Sequence, residues 1–198
     1  MLFKIIILAL ISCSVKTEDY VRSTNNGLVK GIYSFPLNAW LGIPFAEKPI
    51  DDLRFKHPIA KTNWSGILST ANNMASCTES EDCLYLNVFT PVISENLPVL
   101  VWIHGGAFTG GSARDDQNNL KKFSMQTNTI VVSIAYRLSI FGFLYMGTEN
   151  APGNMGLMDQ AMAIKWVHEN IHYFGGDISR ITVSSSIKLT YILISFHF

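Results

Sequence analysis

Val99 to Phe108, VLVWIHGGAF, is a continuous apolar run that breaks into a His-Gly-Gly turn. Apolar residues at successive positions, without polar alternation, predict a strand buried between two layers of helices. At its end Gly105 and Gly106 let the backbone bend sharply and present bare N–H groups above the sheet. Donors aimed that way can hold a developing oxyanion. A second apolar run, Asn128 to Tyr136 (NTIVVSIAY), predicts another buried strand, followed by a Gly-containing stretch, LSIFGFL. From Gly156 to Phe174 the apolar residues Leu157, Met158, Ala161, Ala163, Ile164, Val167, Ile171 and Phe174 recur at three- and four-residue spacing. That period predicts a helix, and Gly175-Gly176 ends it.

Arg180 to Val183 begins a further strand. Near the start, VRSTNNGLVKGIYSF places Asn26-Gly27 between two short β-rich runs, a hairpin signal. Ala39 to Phe45 and Leu84 to Thr90 read as strands limited by Pro44 and Pro91, and EKPIDDLRFKHP as loop. Residues Gly105 to Asn119, rich in Gly, Asp and Asn, read as loop as well. Apolar strands alternating with a long helix imply βαβ units and a mainly parallel sheet in a single α/β domain.

Composition narrows the class. The 198 residues are 48% hydrophobic, enough for one domain with a sizeable core. Fifteen basic residues balance fifteen acidic ones, with no basic stripe and no acidic run, so nucleic acid is not an expected partner. The first residues, MLFKIIILALISCSV, carry Lys4, an apolar core from Ile5 to Ile11, and small Ser12 and Ser14. Residues 1–14 therefore read as a secretory signal peptide, too short for a membrane span, and no later run is long enough. The expected location is secreted and extracellular, without a membrane span once the signal is removed. A buried N-terminal strand, or a lipoprotein box at Leu10-Ile11-Ser12-Cys13, are the alternatives.

Losing that segment removes Cys13 and leaves Cys77 and Cys83, which in an exported chain form either a disulfide around a short loop or two buried thiols. A bridge over so short a loop acts on local shape more than on global stability. Asn63-Trp64-Ser65 is a glycosylation sequon at Asn63, meaningful in a secreted chain.

AWLGIPFAEKP, LRF, SEDCLYLNVFTP, VWIHGGAF, AYRLSIFGFL and GNMGLMDQAMAIKWVHENIHYFGGD resemble, in order, the N-terminal portion of the carboxylesterase type B family. That family also includes the cholinesterases and the non-catalytic neuroligins. The resemblance covers about Val21 to Val183. It implies an α/β-hydrolase fold and hydrolysis of small carboxylic esters by a serine, a histidine and an acidic residue, with no metal and no cofactor. A GxSxG elbow and an HGGG-type oxyanion loop belong to that arrangement. By the same resemblance the oxyanion donors are the N–H groups of Gly106 and Ala107. Arg54 with Glu81, and Arg137 with Asp159, match salt bridges that hold loops to the core.

The departure falls where the elbow is expected. The family strand runs into a turn reading roughly FGESAG, and here the chain reads SSSIKL. Ile187 occupies the nucleophile position, Ser185 and Leu189 those of the flanking glycines, and Lys188 that of a third oxyanion donor. Sliding to Ser186 puts Ser184 and Lys188 where the strained elbow needs small residues. Ser112 has Gly110 two residues before it but Arg114 two after. The expectation is an α/β-hydrolase fold truncated after the strand that leads to the elbow, with residues 184–198 as a divergent tail. Such a product is catalytically incompetent, with an open, aggregation-prone sheet edge. Its family acid and histidine are not among these residues; His57 and His197 fall in a loop and at the end of the chain.

Two other readings stand beside this one. A non-catalytic binding protein of the neuroligin type would keep the fold without the triad. A zinc peptidase is signalled by His168-Glu169-Asn170-Ile171-His172, an HExxH motif, but Ile178 stands where one subclass has its third histidine, and no Glu follows Glu169 for the others. WVxxNIxxFGGD is, moreover, what the esterase family carries at this place. Within that family, cholinesterases hold a quaternary ammonium on a Trp in a long disulfide-closed loop. Thr78 to Asp82 hold no aromatic residue, which disfavours choline specificity.

Overall fold

A computed structural model describes residues 20–34, 36–72 and 74–185. Residues 1–14, expected to be a signal peptide and including Cys13, lie outside the described residues, as do Ser186, Ile187, Lys188, Leu189 and His197. The apolar run 99–108 contributes β7 (Leu97–Ile103), near the middle of a six-stranded sheet. Its neighbours are β8 (Ile130–Ile134) on one side and β11 (Gly176–Ser185) on the other. Beyond β8 lie β6 (Tyr85–Pro91), β4 (Leu37–Pro44) and β3 (Ile32–Ser34).

The expected mainly parallel sheet is corrected. Among the described strands of this sheet β8, β7 and β11 run parallel, and the pairs β8–β6, β6–β4 and β4–β3 are antiparallel. A parallel neighbour requires a long crossover. The chain supplies one through α1 (Gln117–Thr127) and another through α3 (Met155–Asn170), whereas only two residues separate β3 from β4 in sequence.

Burial along β7 alternates. Leu97, Val99, Val101 and Ile103 are buried under α3, whereas Leu100 and Trp102 are only half-buried on the other face. That second face packs on a smaller cluster of Leu37, Ala39, Leu41, Phe89, Leu120 and Val131, with α1 supplying Leu120. Among the described residues one helix covers this face, so the apolar pattern overstates its burial. α1 itself begins inside the segment expected to be loop. It buries only Leu120 and Ser124, too few positions to show a helical period in sequence.

Other boundaries shift for local reasons. The hairpin of β1 (Val21–Thr24) and β2 (Gly27–Lys30) turns at Asn25-Asn26, one residue earlier than expected, with Gly27 paired to Thr24. β5 (Ile67–Ser69) adds to this small sheet, its parallel pairing running alongside β2. The Gly-containing stretch forms α2 (Ser139–Phe143), and β9 (Tyr145–Thr148) pairs with β10 (Ala151–Pro152). The long helix gives way to a 3-10 turn over Ile171–Phe174, stopped by Gly175 at φ 86°. A Cβ at Gly175 would lie 2.0 Å from the Ser94 carbonyl oxygen, so the chain ends its helix there with the one residue that fits.

One ion pair ties the layers together. Arg137, just beyond β8, and Asp159, on α3, have side chains 3% and 0% exposed. Asp159 accepts from Arg137 Nε at 2.8 Å, Nη2 at 2.7 Å and the Arg137 backbone N–H at 3.0 Å, while Nη1 donates to Lys56 O at 2.8 Å. Burial pushes the Asp159 carboxyl up, and the guanidinium opposes it. Removing one partner strands the other charge, so Asp159→Ala is expected to lower the unfolding free energy by about 3–5 kcal/mol, read from urea midpoints. A midpoint left unchanged would show that the pair is dispensable.

A second, half-buried pair fixes the loop after β4. Glu47 accepts from Lys61 Nζ at 2.7 Å, Thr62 N–H at 2.8 Å and Thr62 Oγ1 at 2.7 Å. The hydrogen bonds from Lys61 and Thr62 bring its carboxyl down to about 2 from an ordinary 4.5. A depressed carboxyl stabilises the fold above its unfolded value and stops doing so as pH falls through the folded one. The melting-temperature gap between the parent and Glu47→Gln should therefore be full above pH 4.5 and shrink to nothing near pH 2.

Candidate active site: the oxyanion loop

Residues 104–111 leave the C-terminal end of β7, the end at which open α/β sheets bind their ligands. Gly106, Ala107 and Phe108 take φ values of 120°, 54° and 63° in succession. A Cβ on Gly106 would come within 2.1 Å of Gly110 O, so glycine is required there twice over, by angle and by space. Gly106 O accepts from Thr109 N at 3.0 Å and Gly110 N at 3.1 Å, which closes the turn. The N–H groups of Gly106 and Ala107 donate to no other described residue, and both residues are exposed. Successive amides in such a turn form a concavity suited to an anion.

The loop rests on aromatic rings. His104, 3% exposed, stacks on Tyr136 with centroids 4.5 Å apart, and the Tyr136 hydroxyl donates to His104 O at 3.1 Å. His104 Nδ1 lies 2.9 Å from Gly105 O. Burial lowers the His104 pKa, so the ring is neutral at neutral pH and Nδ1–H is the donor to that carbonyl. Burial also pushes the Tyr136 hydroxyl up to about 12, which keeps it protonated. Farther along, the Phe108 ring meets Phe143 of α2 at 4.7 Å, and Ser139 N–H donates to Phe108 O at 2.6 Å.

α2 is held in turn by Arg137. Gly142 and Gly156 both approach the Arg137 carbonyl, where added Cβ atoms would sit 2.2 and 2.5 Å from its oxygen. The supports Tyr136, Phe108, Ser139 and Phe143 are not signalled in sequence as site residues, because each lies inside an apolar run that reads as core.

The other residues singled out in the sequence fall elsewhere. Arg54 pairs with Glu81. Cys77 and Cys83 are joined by a disulfide. Both features border one cavity of about 270 Å³ that also touches Arg137. Asn63 is exposed beside Trp64, whose indole N–H donates to Leu28 O. Ser112 caps its own turn, its Oγ accepting from Arg114 N at 2.9 Å. His168 and Glu169 lie at the exposed end of α3 and His172 on the following turn; among the described residues no group of three or more His, Cys, Asp or Glu could hold a metal.

At the end of β11, Ser185 sits in register with Ile103 of β7, so the two strands finish side by side beneath the loop. Ile187, at the expected nucleophile position two residues on, is outside the described residues.

Sheet order, the crossover through α3 and a turn with free amides at a strand end define an α/β-hydrolase, covered here in part. The Carboxylesterase family profile matches residues 18–186. The chain is 44% identical over 172 residues to acetylcholinesterase 1 of Caenorhabditis elegans, covering 75% of this chain and 28% of that protein. It is 41% identical over 181 residues to the para-nitrobenzyl esterase of Bacillus subtilis, covering 82% of this chain and 37% of that one. A solved PNB esterase superposes with a TM-score of 0.81 at 42% identity, over 84% of this chain and 38% of its own. The chain belongs to the carboxylesterase family, and spans about a third of the length of these relatives.

The loop geometry sets opposite signs for neighbouring substitutions. Gly106→Ala should destabilise by more than about 1 kcal/mol, since it adds both a left-handed penalty and a clash. Ala107→Gly should be neutral or stabilise by up to about 1 kcal/mol. Chemical denaturation of both variants checks this, and the reverse order would show that the loop does not hold these angles.

Proposed function

We propose that residues 21–183 are the oxyanion-bearing portion of a secreted carboxylesterase domain, and that the 198-residue polypeptide by itself does not hydrolyse esters. The observation that carries the first half is the pair of exposed amides at Gly106 and Ala107, fixed on the stacked His104 and Tyr136. In ester cleavage a nucleophile adds to the carbonyl carbon and its oxygen becomes an oxyanion. Each donor waiting for that oxygen contributes about 100- to 1,000-fold in kcat. Gly106 and Ala107 are assigned that role. Arg137 with Asp159, and Arg54 with Glu81, position loops and take no part in the chemistry.

The second half rests on residues 184–198, SSSIKLTYILISFHF, which depart from the family pattern. Ile187 at the nucleophile position has no atom that can add to a carbonyl. Without that addition the amides have no oxyanion to stabilise. Residues 1–14 are assigned as the export signal, and Asn63, exposed in its sequon, as a glycan acceptor.

The surroundings of the loop fit an uncharged ester. Phe108, Ile140, Phe143, Leu144 and Tyr145 line an open space of about 580 Å³ with no charged residue among them. The Cys77–Cys83 loop contributes no aromatic ring to hold a quaternary ammonium, which disfavours choline esters.

Purified protein should release no product from an aryl ester such as 4-nitrophenyl acetate above the buffer rate. The assay is run with and without a serine-directed phosphonate and a chelator. Turnover abolished by the phosphonate would overturn the inactivity; turnover abolished only by the chelator would assign the chemistry to a metal at His168 and His172.

A further inference from the structure

α3 carries more apolar surface than the core takes. Its buried side chains include Ala163, Ile164, Trp166 and Val167, yet Met158, Ala161 and Met162 form a second stripe at three- and four-residue spacing. Met158, which the helical period places with the core residues, is 42% exposed. This stripe faces the segment after β4 across a gap. The gap is a cavity of about 410 Å³, separate from the oxyanion loop, with Phe45, Pro58 and Ala60 on its far wall and Trp166 also lining it. Volume and apolar lining fall in the range of small-molecule sites, about 300–1,000 Å³. Methionines suit such a wall because their unbranched side chains adapt to the occupant.

Charge on the rim selects the occupant. Lys165 and Lys61 line it with one carboxylate, Glu169. Lys61 Nζ is engaged by Glu47 at 2.7 Å. Lys165 reaches Glu169 only at 3.8 Å, with both side chains well exposed, so it can turn to another anion at little cost. Asn26 faces the same space and fixes one wall, its Nδ2 donating to Lys61 O at 2.7 Å.

We propose that this cavity binds a small apolar monocarboxylate, its chain against Met158, Met162 and Trp166 and its carboxylate on Lys165. An apolar tail would take the exposed Met158 side chain out of water, and the single head charge is matched to Lys165, the lining lysine whose carboxylate partner lies farther away.

The test is titration of the full chain, labelled at the methionine methyls with carbon-13, with octanoate, octylammonium and octanol. Octanoate should shift the Met158 and Met162 methyl signals saturably and bind about tenfold or more tighter than either analogue. Lys165→Gln, at an exposed position, should remove most of that preference without changing the melting temperature. Ala161→Trp should fill the space and abolish binding of all three. Failure of octanoate to move either methionine signal, equal binding of octanol or octylammonium, or an unchanged preference in Lys165→Gln each overturns the proposal. None of these readouts depends on ester hydrolysis, so the outcome is independent of the proposed enzymatic role.

Discussion

The contact between Arg137 and Asp159 is the constraint on which the rest of the architecture depends. It joins the end of β8 to α3 with both side chains buried, so every donor must be accounted for. The guanidinium meets that demand through Asp159 and Lys56 O, and the Asp159 carboxylate is met by three donors from one residue. A buried pair is weak evidence of net stability, because desolvation consumes much of the attraction. Its effect is one of position: the charged groups satisfy each other in one arrangement, and that arrangement fixes where α2 leaves the sheet.

From α2 the constraint reaches the candidate site. Phe143 packs on Phe108, and Ser139 holds the Phe108 carbonyl, so the three left-handed residues 106–108 are clamped at their C-terminal side. The His104–Tyr136 stack clamps the other side. Backbone in this region costs about 1–3 kcal/mol per strained residue and persists only where the surroundings over-determine it. Strain held from both ends keeps two amides pointed outward before any ligand arrives. That is the preorganisation an oxyanion site needs.

The two faces of the sheet are unequal. On the α3 side β7 is buried along its length, whereas on the other face Leu100 and Trp102 are half-covered. Among the described residues β11 pairs on one side only, with β7, and Ile178 is 48% exposed. Parallel strands are usually covered on both faces. The larger relatives match this chain over about a third of their length, which is consistent with a layer of the fold that these residues do not themselves supply.

The sequence by itself determined what local chemistry can encode. The unbroken apolar runs marked β7 and β8, the helical period marked α3, Gly175 marked its end, and VWIHGGAF marked the turn that follows β7. Each of these is written in neighbouring residues, as a period, a turn preference or a need for a bare backbone. Strand direction, the existence of α1, the half-covered face of β7 and the outward turn of Met158 were decided only by tertiary structure. The rings beneath the loop after β7 belong with them: Tyr136 and Phe143 read as core residues until the fold brings them against residues 104 and 108. These features depend on which surfaces meet across the chain, and an apolar side chain is the same in sequence whether its partner is the core, a loop or a cavity.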